Sequence, residues 1–475
     1  MSNRKPHTFS KEEMAKYNAS RDPEYRHLSC HAPWRSLYFG IQGSISMCCY
    51  NQKDLLGYYG QGPSILDLWR GEKAQSIRRE FSSRQMAEGC SRCAQLVKQN
   101  NVEGLLAKKY DSANSPVPSS WIPKWYAKGN LKPDFPEVLE FETGNRCNLA
   151  CVMCNEACSS TIRSNMGLPP MKEAYNDAFI QEIKTLLPHI KSAHFFGGEP
   201  FLIRHYLEIW EAIITINPSI VSHVSTNGTI LNGRVRSIIA GHPMNLSISM
   251  DAFSKEVYEK IRINGDYEAL RKNIDYFLSI KEDLDDLSIT ACVMPINAMD
   301  IIHLVSFCQE HHINVFFNTV FEPREHSLRS MKKDDLAKVL HHYEDYQKVL
   351  EHEDAGLSIN KRRFNGLIEQ IRILLEEEDR INQVQAPLSD KEVFRSWKQT
   401  LSNRSAEIQA ATSPSVAKEA KLALQKIFDA LPSNSLKKTF NDEIGRAPVK
   451  TLITRLTEDD WKTLHHEFVA RFDEK

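Results

Sequence analysis

The chain has 475 residues, 41% hydrophobic and 25% charged, which is enough apolar material for two or three domains with cores of their own. A formal net charge of −1 provides no overall basic field to gather nucleic acid or anionic lipid. No apolar run approaches the ~18 residues that span a bilayer, and the basic start Met-Ser-Asn-Arg-Lys-Pro-His is not followed by the apolar stretch of a signal peptide.

These features lead us to expect a cytoplasmic protein with no membrane and no clear nucleic-acid partner. In that compartment the eleven cysteines read as metal ligands more than as disulfides. Residues 1–130 are cysteine-rich and short in clear helices. They carry Cys30, the pair Cys48 and Cys49, and Cys90-Ser-Arg-Cys93, and a Pro/Ser cluster at Ser115–Ser120 separates them from the next region.

Residues 131–330 alternate between apolar runs and helix-like stretches. The runs are Val138–Glu142, Ala193–Phe196, Ile220–Val224, Leu246–Asp251, Ser288–Met294 and Val315–Val320. Helical periodicity marks Phe179–Leu187, Tyr206–Ile216 and one long segment after Asp251 that reaches about Ile280. Six strand-then-helix units predict an α/β fold, a partial (β/α)6 barrel with a parallel sheet and outer helices. Its polar and glycine-rich residues fall just after the strands, where parallel barrels place their chemistry. Residues 331–475 read as a helical C-terminal region of unknown role. Their apolar stripes (Leu336, Val339, Leu340, Tyr343; Phe364, Leu367, Ile368, Ile371) are core packing.

The chemistry begins at Cys147-x3-Cys151-x2-Cys154, just after the first run. Three thiolates are too few for a closed site, since structural zinc and a wholly protein-bound cubane cluster each take four ligands. Cys158 could complete a zinc site, so the triplet alone leaves zinc and iron–sulfur both open. The second run ends in Gly197-Gly198-Glu199-Pro200. The triplet and this segment, in this order, resemble the radical S-adenosylmethionine (SAM) superfamily.

The resemblance implies a [4Fe–4S] cluster on Cys147, Cys151 and Cys154, with its open iron chelating SAM. It also implies reductive cleavage of SAM to a 5′-deoxyadenosyl radical that abstracts a substrate hydrogen. Gly197, Gly198, Glu199 and Pro200 would bind the SAM amino group, with the glycines allowing close backbone approach. Ser249 and Asp251 would reach the SAM ribose or carboxylate. Arg262 would pair with the carboxylate or remain a solvated helix charge. Asn227 would face the site or cap a turn. Met153 stands where many members of the family place an aromatic residue against the adenine, and its thioether can fill that space.

The N-terminal cysteines resemble the SPASM/twitch module, which implies an auxiliary [4Fe–4S] cluster on Cys30, Cys48, Cys90 and Cys93, with Cys49 a spare or an alternative to Cys48. The same four thiolates could hold zinc. The module usually comes after the barrel, and here it precedes it. Cys292 and Cys308 read as packing thiols, Cys158 as a possible hydrogen donor, and no general base stands out among Glu142, Asn318 and Glu322.

The function expected first is radical modification of a peptide or protein, with a reductant such as flavodoxin or ferredoxin and a precursor peptide as partners. The alternative is dehydrogenation or epimerisation of a small molecule such as a sugar or nucleoside. A third reading, from another class, is a non-catalytic iron–sulfur scaffold or sensor.

Overall fold

The computed structural model describes residues 5–51, 53–98, 105–111, 131–353, 358–384, 390–446, 449–458 and 460–472. The expected Pro/Ser separator at 115–120 lies outside them. The strands are β1 (Ser36–Phe39), β2 (Ser44–Ser46), β3 (Gly57–Tyr58), β4 (Val138–Phe141), β5 (Ala150–Cys151), β6 (Ser192–Phe195), β7 (Val221–Thr226), β8 (Met244–Ser249), β9 (Arg262–Ile263), β10 (Asp286–Val293) and β11 (Asn314–Thr319).

β4, β6, β7, β8, β10 and β11 are neighbours in that order and run parallel, which is the expected partial barrel. Period-two alternation divides the sheet into two faces. In β8, Met244, Leu246 and Ile248 are buried, while Asn245, Ser247 and Ser249 are only half-buried on the other face. The buried face packs under amphipathic helices. Helix Asp177–Leu186 buries Phe179, Ile180, Ile183 and Leu186, and its first turn is capped by the Asn176 side chain. An aromatic layer crosses the strands on this side, with Phe39 stacked on Phe141 at 5.3 Å and Phe141 on Phe195 at 4.9 Å.

Two features depart from the sequence expectation. The N-terminal region does not stand apart from the sheet. Its β1 pairs parallel with β4, Ser36 opposite Val138 through Phe39 opposite Phe141, and β2 and β3 add on antiparallel to give nine strands. The four-residue run Ser-Leu-Tyr-Phe is too short to show a period. The long helix expected after Asp251 is broken into Lys255–Ile261 and Tyr267–Ser279. Between them Arg262 and Ile263 pair antiparallel with Cys151 and Ala150, and Asn264 turns the chain with φ of 70°.

The chain divides into two compact units, Met1–Ile371 and Arg372–Lys475. The C-terminal helical region is therefore shared between them. In the first unit, Tyr343 donates to the Ala298 carbonyl at 2.6 Å and the Asn360 side chain accepts from the Val315 amide at 2.8 Å. The second unit is helical, its core built on Trp397, Ile408, Leu424, Phe428 and Phe440, with Trp397 stacked on Phe428 at 4.5 Å. Among the described residues no helix is long and apolar enough to cross a membrane.

Trp397→Ala should cost this second core about 3–5 kcal/mol, read as an earlier urea transition of the full chain. A pH effect arises in the first unit, where burial holds His205, His223 and His242 each down to about 4. Unfolded imidazoles protonate near ~6.5, so as pH falls from there toward 4 the unfolded chain binds protons that the folded chain refuses. Stability should decline through that window by up to ~1.4 kcal/mol per pH unit for each ring. His242→Gln should make the decline shallower, and a flat profile of urea midpoints would contradict the assignment.

Candidate functional site

Between β4 and β5 the chain has no regular structure, so its polar backbone must find partners elsewhere. Ser160 Oγ lies 3.1 Å from both the Cys147 amide and the Cys147 carbonyl, and Thr161 donates to that carbonyl at 2.7 Å. Ser159 donates to the Leu149 carbonyl at 2.6 Å. On the far side β5 pairs with β9, placing Cys151 opposite Arg262, and the Val152 amide donates to the Ile261 carbonyl at 2.9 Å.

The three thiols of the triplet follow along this segment, Cys147 before β5, Cys151 at its end and Cys154 beyond it. Cys151 is buried, Cys147 and Cys154 are half-buried, and Cys158 is exposed. A hydrogen bond with Cys154 holds Cys151 below the ordinary thiol range against the opposing effect of burial, aided by the adjacent Arg262 guanidinium. Arg262 Nη1 lies 3.8 Å from Cys151 Sγ. The shared proton stays with Cys154, which it holds well above the ordinary thiol range, and burial holds Cys147 up. Cys151 alone is therefore already biased toward thiolate, the form that binds metal. Three thiols on one short segment fit an iron–sulfur cluster whose own positive charge would ionise the other two.

Arg262 is a buried member of an ion pair, not a solvated helix charge. Its Nε lies 2.8 Å from Asp251 Oδ2, and Asp251, fully buried, also accepts from the Cys292 amide at 2.7 Å. Burial disfavours the charge on Arg262, and Asp251 and Cys151 more than offset it. Asp251 and Arg262, both expected at SAM, are thus partnered with each other. Cys292, expected as a packing thiol, is half-buried beside them, whereas Cys308 is buried as expected.

The Gly-Gly-Glu-Pro segment meets the loop directly. The Glu199 amide donates to the Arg146 carbonyl at 2.7 Å. Gly197 and Gly198 have φ of 83° and 51°, and a Cβ on Gly198 would lie 2.4 Å from the Arg146 carbonyl oxygen. Their freedom admits the backbone of the cysteine loop itself. The Glu199 carboxylate is buried, which pushes its pKa up to about 7, and it accepts from the Asn227 amide at 2.7 Å, Thr226 Oγ1 at 2.8 Å and the Phe201 amide at 3.1 Å. Asn227 caps its turn by accepting from the Thr229 amide at 3.0 Å and ties to the Asn148 side chain at 3.0 Å. Ser249 and Met153 are half-buried near the strand ends.

The N-terminal cysteines converge as well. Cys30, Cys48, Cys90 and Cys93 line one small cavity with Met47, Ile77, Phe81 and Met86. Burial pushes the Cys48 thiol up to about 12. Four thiols in an apolar wall fit a group whose own positive charge would hold them ionised. Cys49 does not line this cavity. Its amide donates to Glu140 Oε2 at 3.2 Å. Among the described residues no three His, Cys, Asp or Glu side chains are drawn together as ligands of a single metal ion.

Sequence reasoning missed the polar inner face of the sheet. Tyr38, Glu140, His194, His223 and Asn245 lie at one level on five adjacent strands. Glu140, fully buried, accepts from Lys109 at 2.8 Å and from Tyr110 at 3.0 Å. His194 and His223 stack at 4.2 Å, and Tyr38 donates to Glu142 at 2.5 Å. The signal was present as charged or imidazole residues inside apolar runs. Lys109, Tyr110 and Tyr38 could not be placed, because they come from the N-terminal region. One test of the loop geometry is Gly198→Ala, which should destabilise the first unit by at least about 1 kcal/mol, seen as a lower unfolding midpoint.

Residues 141–308 match the Radical SAM superfamily, and residues 30–94 match an iron–sulfur cluster-binding domain, SPASM. Among curated proteins the chain is similar to a probable GTP 3′,8-cyclase of Methanocaldococcus jannaschii, 25% identical over 172 residues, which is 36% of this chain and 55% of that protein. It is also similar to the GTP 3′,8-cyclase of Limosilactobacillus fermentum, 25% identical over 197 residues, 41% of this chain and 56% of that protein. The chain thus spans little more than half the length of these relatives. Among solved structures, anSMEcpe with bound AdoMet aligns over 46% of this chain and 61% of its own, with 19% identity and a TM-score of 0.36. SuiB of Streptococcus suis bound to S-adenosylmethionine aligns over 55% and 60%, with 16% identity and a TM-score of 0.37. The chain thus carries a radical SAM domain with an iron–sulfur cluster-binding module ahead of it, and [4Fe–4S] clusters and SAM are the cofactors that these two domains imply.

Proposed function

We propose that Cys147, Cys151 and Cys154 hold the SAM-binding [4Fe–4S] cluster, and that Cys30, Cys48, Cys90 and Cys93 hold the auxiliary one. The domains would then be an auxiliary module at 1–130, the radical SAM barrel at 131–330 and a helical region at 331–475. Cluster and SAM together supply the one-electron chemistry that removes a hydrogen atom from a substrate carbon. The observation that carries this reading is the loop of three thiols clamped between Arg262 and the Gly197–Glu199 backbone. A reductant such as flavodoxin or ferredoxin would deliver the electron.

The substrate of this reading is a peptide or protein. Its support is the exposure of three large apolar side chains just after strand ends, Ile296 and Met299 after β10 and Phe321 after β11, which are available to the side chains of a polypeptide. The second reading, a small molecule of the nucleoside or sugar class, is favoured by the two curated relatives described above, which are GTP 3′,8-cyclases by name. Competition between a precursor peptide and a nucleotide for the reduced enzyme separates the two.

Anaerobic reconstitution should give about eight irons per chain, and dithionite with SAM should yield 5′-deoxyadenosine. Replacing Cys147, Cys151 and Cys154 together by alanine should leave about four irons and no cleavage. Cleavage that survived, or zinc in place of iron, would sink the assignment. Arg262 should act through Cys151: a buried cation beside a thiolate favours the more negative, reduced cluster. Arg262→Gln should therefore move the midpoint potential of the SAM-binding cluster downward with SAM affinity kept. An unchanged potential with weakened SAM binding would return Arg262 to the SAM carboxylate.

A further inference from the structure

A cavity of about 350 Å³ opens at the C-terminal rims of β1 and β4, on the helix side of the sheet. Its side is fixed by Tyr175, which packs edge-on against Phe39 at 6.4 Å, whereas Tyr38 reaches Glu142 on the inner face. One wall is the loop Thr143–Arg146, which leads directly into Cys147. The facing wall is the segment 163–173, just beyond the cysteine loop in the chain. Behind them the buried pair of Thr143 and His205 closes the polar end.

The lining is strongly biased in charge. Arg146, Arg163, Lys172 and Arg204 face the cavity with a single carboxylate, Glu173. Arg204 is already neutralised by Asp177 at 2.8 Å and Glu208 at 2.7 Å. Arg163 donates through Nε to the Pro169 carbonyl, which ties the segment to itself and satisfies no charge. Among the described residues the side chains of Arg146 and Lys172 have no hydrogen-bonding or ion-pair partner. Three uncompensated cations against one carboxylate leave two positive charges around a hollow whose remaining wall includes Ile41, Leu168 and Ile203.

We propose that this cavity binds a small organic dianion, a phosphate monoester or a dicarboxylate, held by Arg146, Arg163 and Lys172 with its organic body against Ile41, Leu168 and Ile203. The volume is at the lower end of small-molecule sites, ~300–1,000 Å³. Guanidinium forks match phosphate and carboxylate geometry. The site is separate from the inner face of the barrel and does not depend on which substrate is used there. A bound dianion bridges segment 163–173 to Arg146, the residue before Cys147, and so stabilises the cysteine loop by linkage.

The test is calorimetric titration of the reconstituted full chain with phenyl phosphate, succinate and inorganic phosphate. One organic dianion should bind at a single site more tightly than inorganic phosphate, with affinity falling as salt rises. Preference for phenyl phosphate assigns the phosphate class, and preference for succinate the dicarboxylate class. Arg146→Gln with Lys172→Gln should weaken that binding by about tenfold or more, and Arg163→Gln should do so independently. Arg146 and Lys172 are exposed, so unchanged iron content verifies that their variants fold. The proposal is overturned if neither organic probe binds at millimolar concentration, or if the charge-deleted variants bind like the parent chain.

Discussion

One hydrogen bond, from the Glu199 amide to the Arg146 carbonyl, fixes the cysteine loop against the end of the second barrel strand. It forms only because Gly197 and Gly198 carry no Cβ at a place where one would collide with that loop. Glu199 in turn is seated by the Asn227 amide and Thr226, so the ends of β6 and β7 and the loop after β4 are one hydrogen-bonded assembly. The irregular stretch that bears the thiols owes its shape to regular elements on both of its sides.

Buried charge is organised around both thiol sets. At the triplet the nearest buried ion is the guanidinium of Arg262, anchored by Asp251. Beside the N-terminal set a buried carboxylate, Glu140, is anchored by Lys109 and Tyr110 and reaches the Cys49 amide. Buried ions persist when paired, and each pair here joins distant parts of the chain. Glu140 in particular belongs to β4 while its partners belong to the N-terminal region, so it is a polar rivet between the two.

The six parallel strands were legible because each is an apolar run that ends in a glycine-rich or polar turn. The triplet and the Gly-Gly-Glu-Pro segment were legible because their spacing is local. What depends on contacts between distant residues was not. Arg262 reads as a helix residue until β9 is seen to pair with β5, and Asp251 reads as a ligand contact until Arg262 is found beside it. Cys48 and Cys49 are neighbours in sequence, and only the turn after β2 sends one to the cavity and the other toward Glu140. The cationic cavity behind the loop draws Arg146, the pair Arg163 and Lys172, and Arg204 from three segments that share no motif.

The in-register pairing of β1 with β4 makes the N-terminal region a covering element as well as a holder of thiols. Without it, β4 would be an exposed outer strand, and its row of unsatisfied amides and carbonyls would be open to pairing with any other chain. Cutting the radical SAM domain free at its N-terminal boundary would thus create a sticky edge beside the strand that leads to Cys147. The two modules are joined by the sheet's own backbone ladder, and aggregation is the natural consequence of separating them.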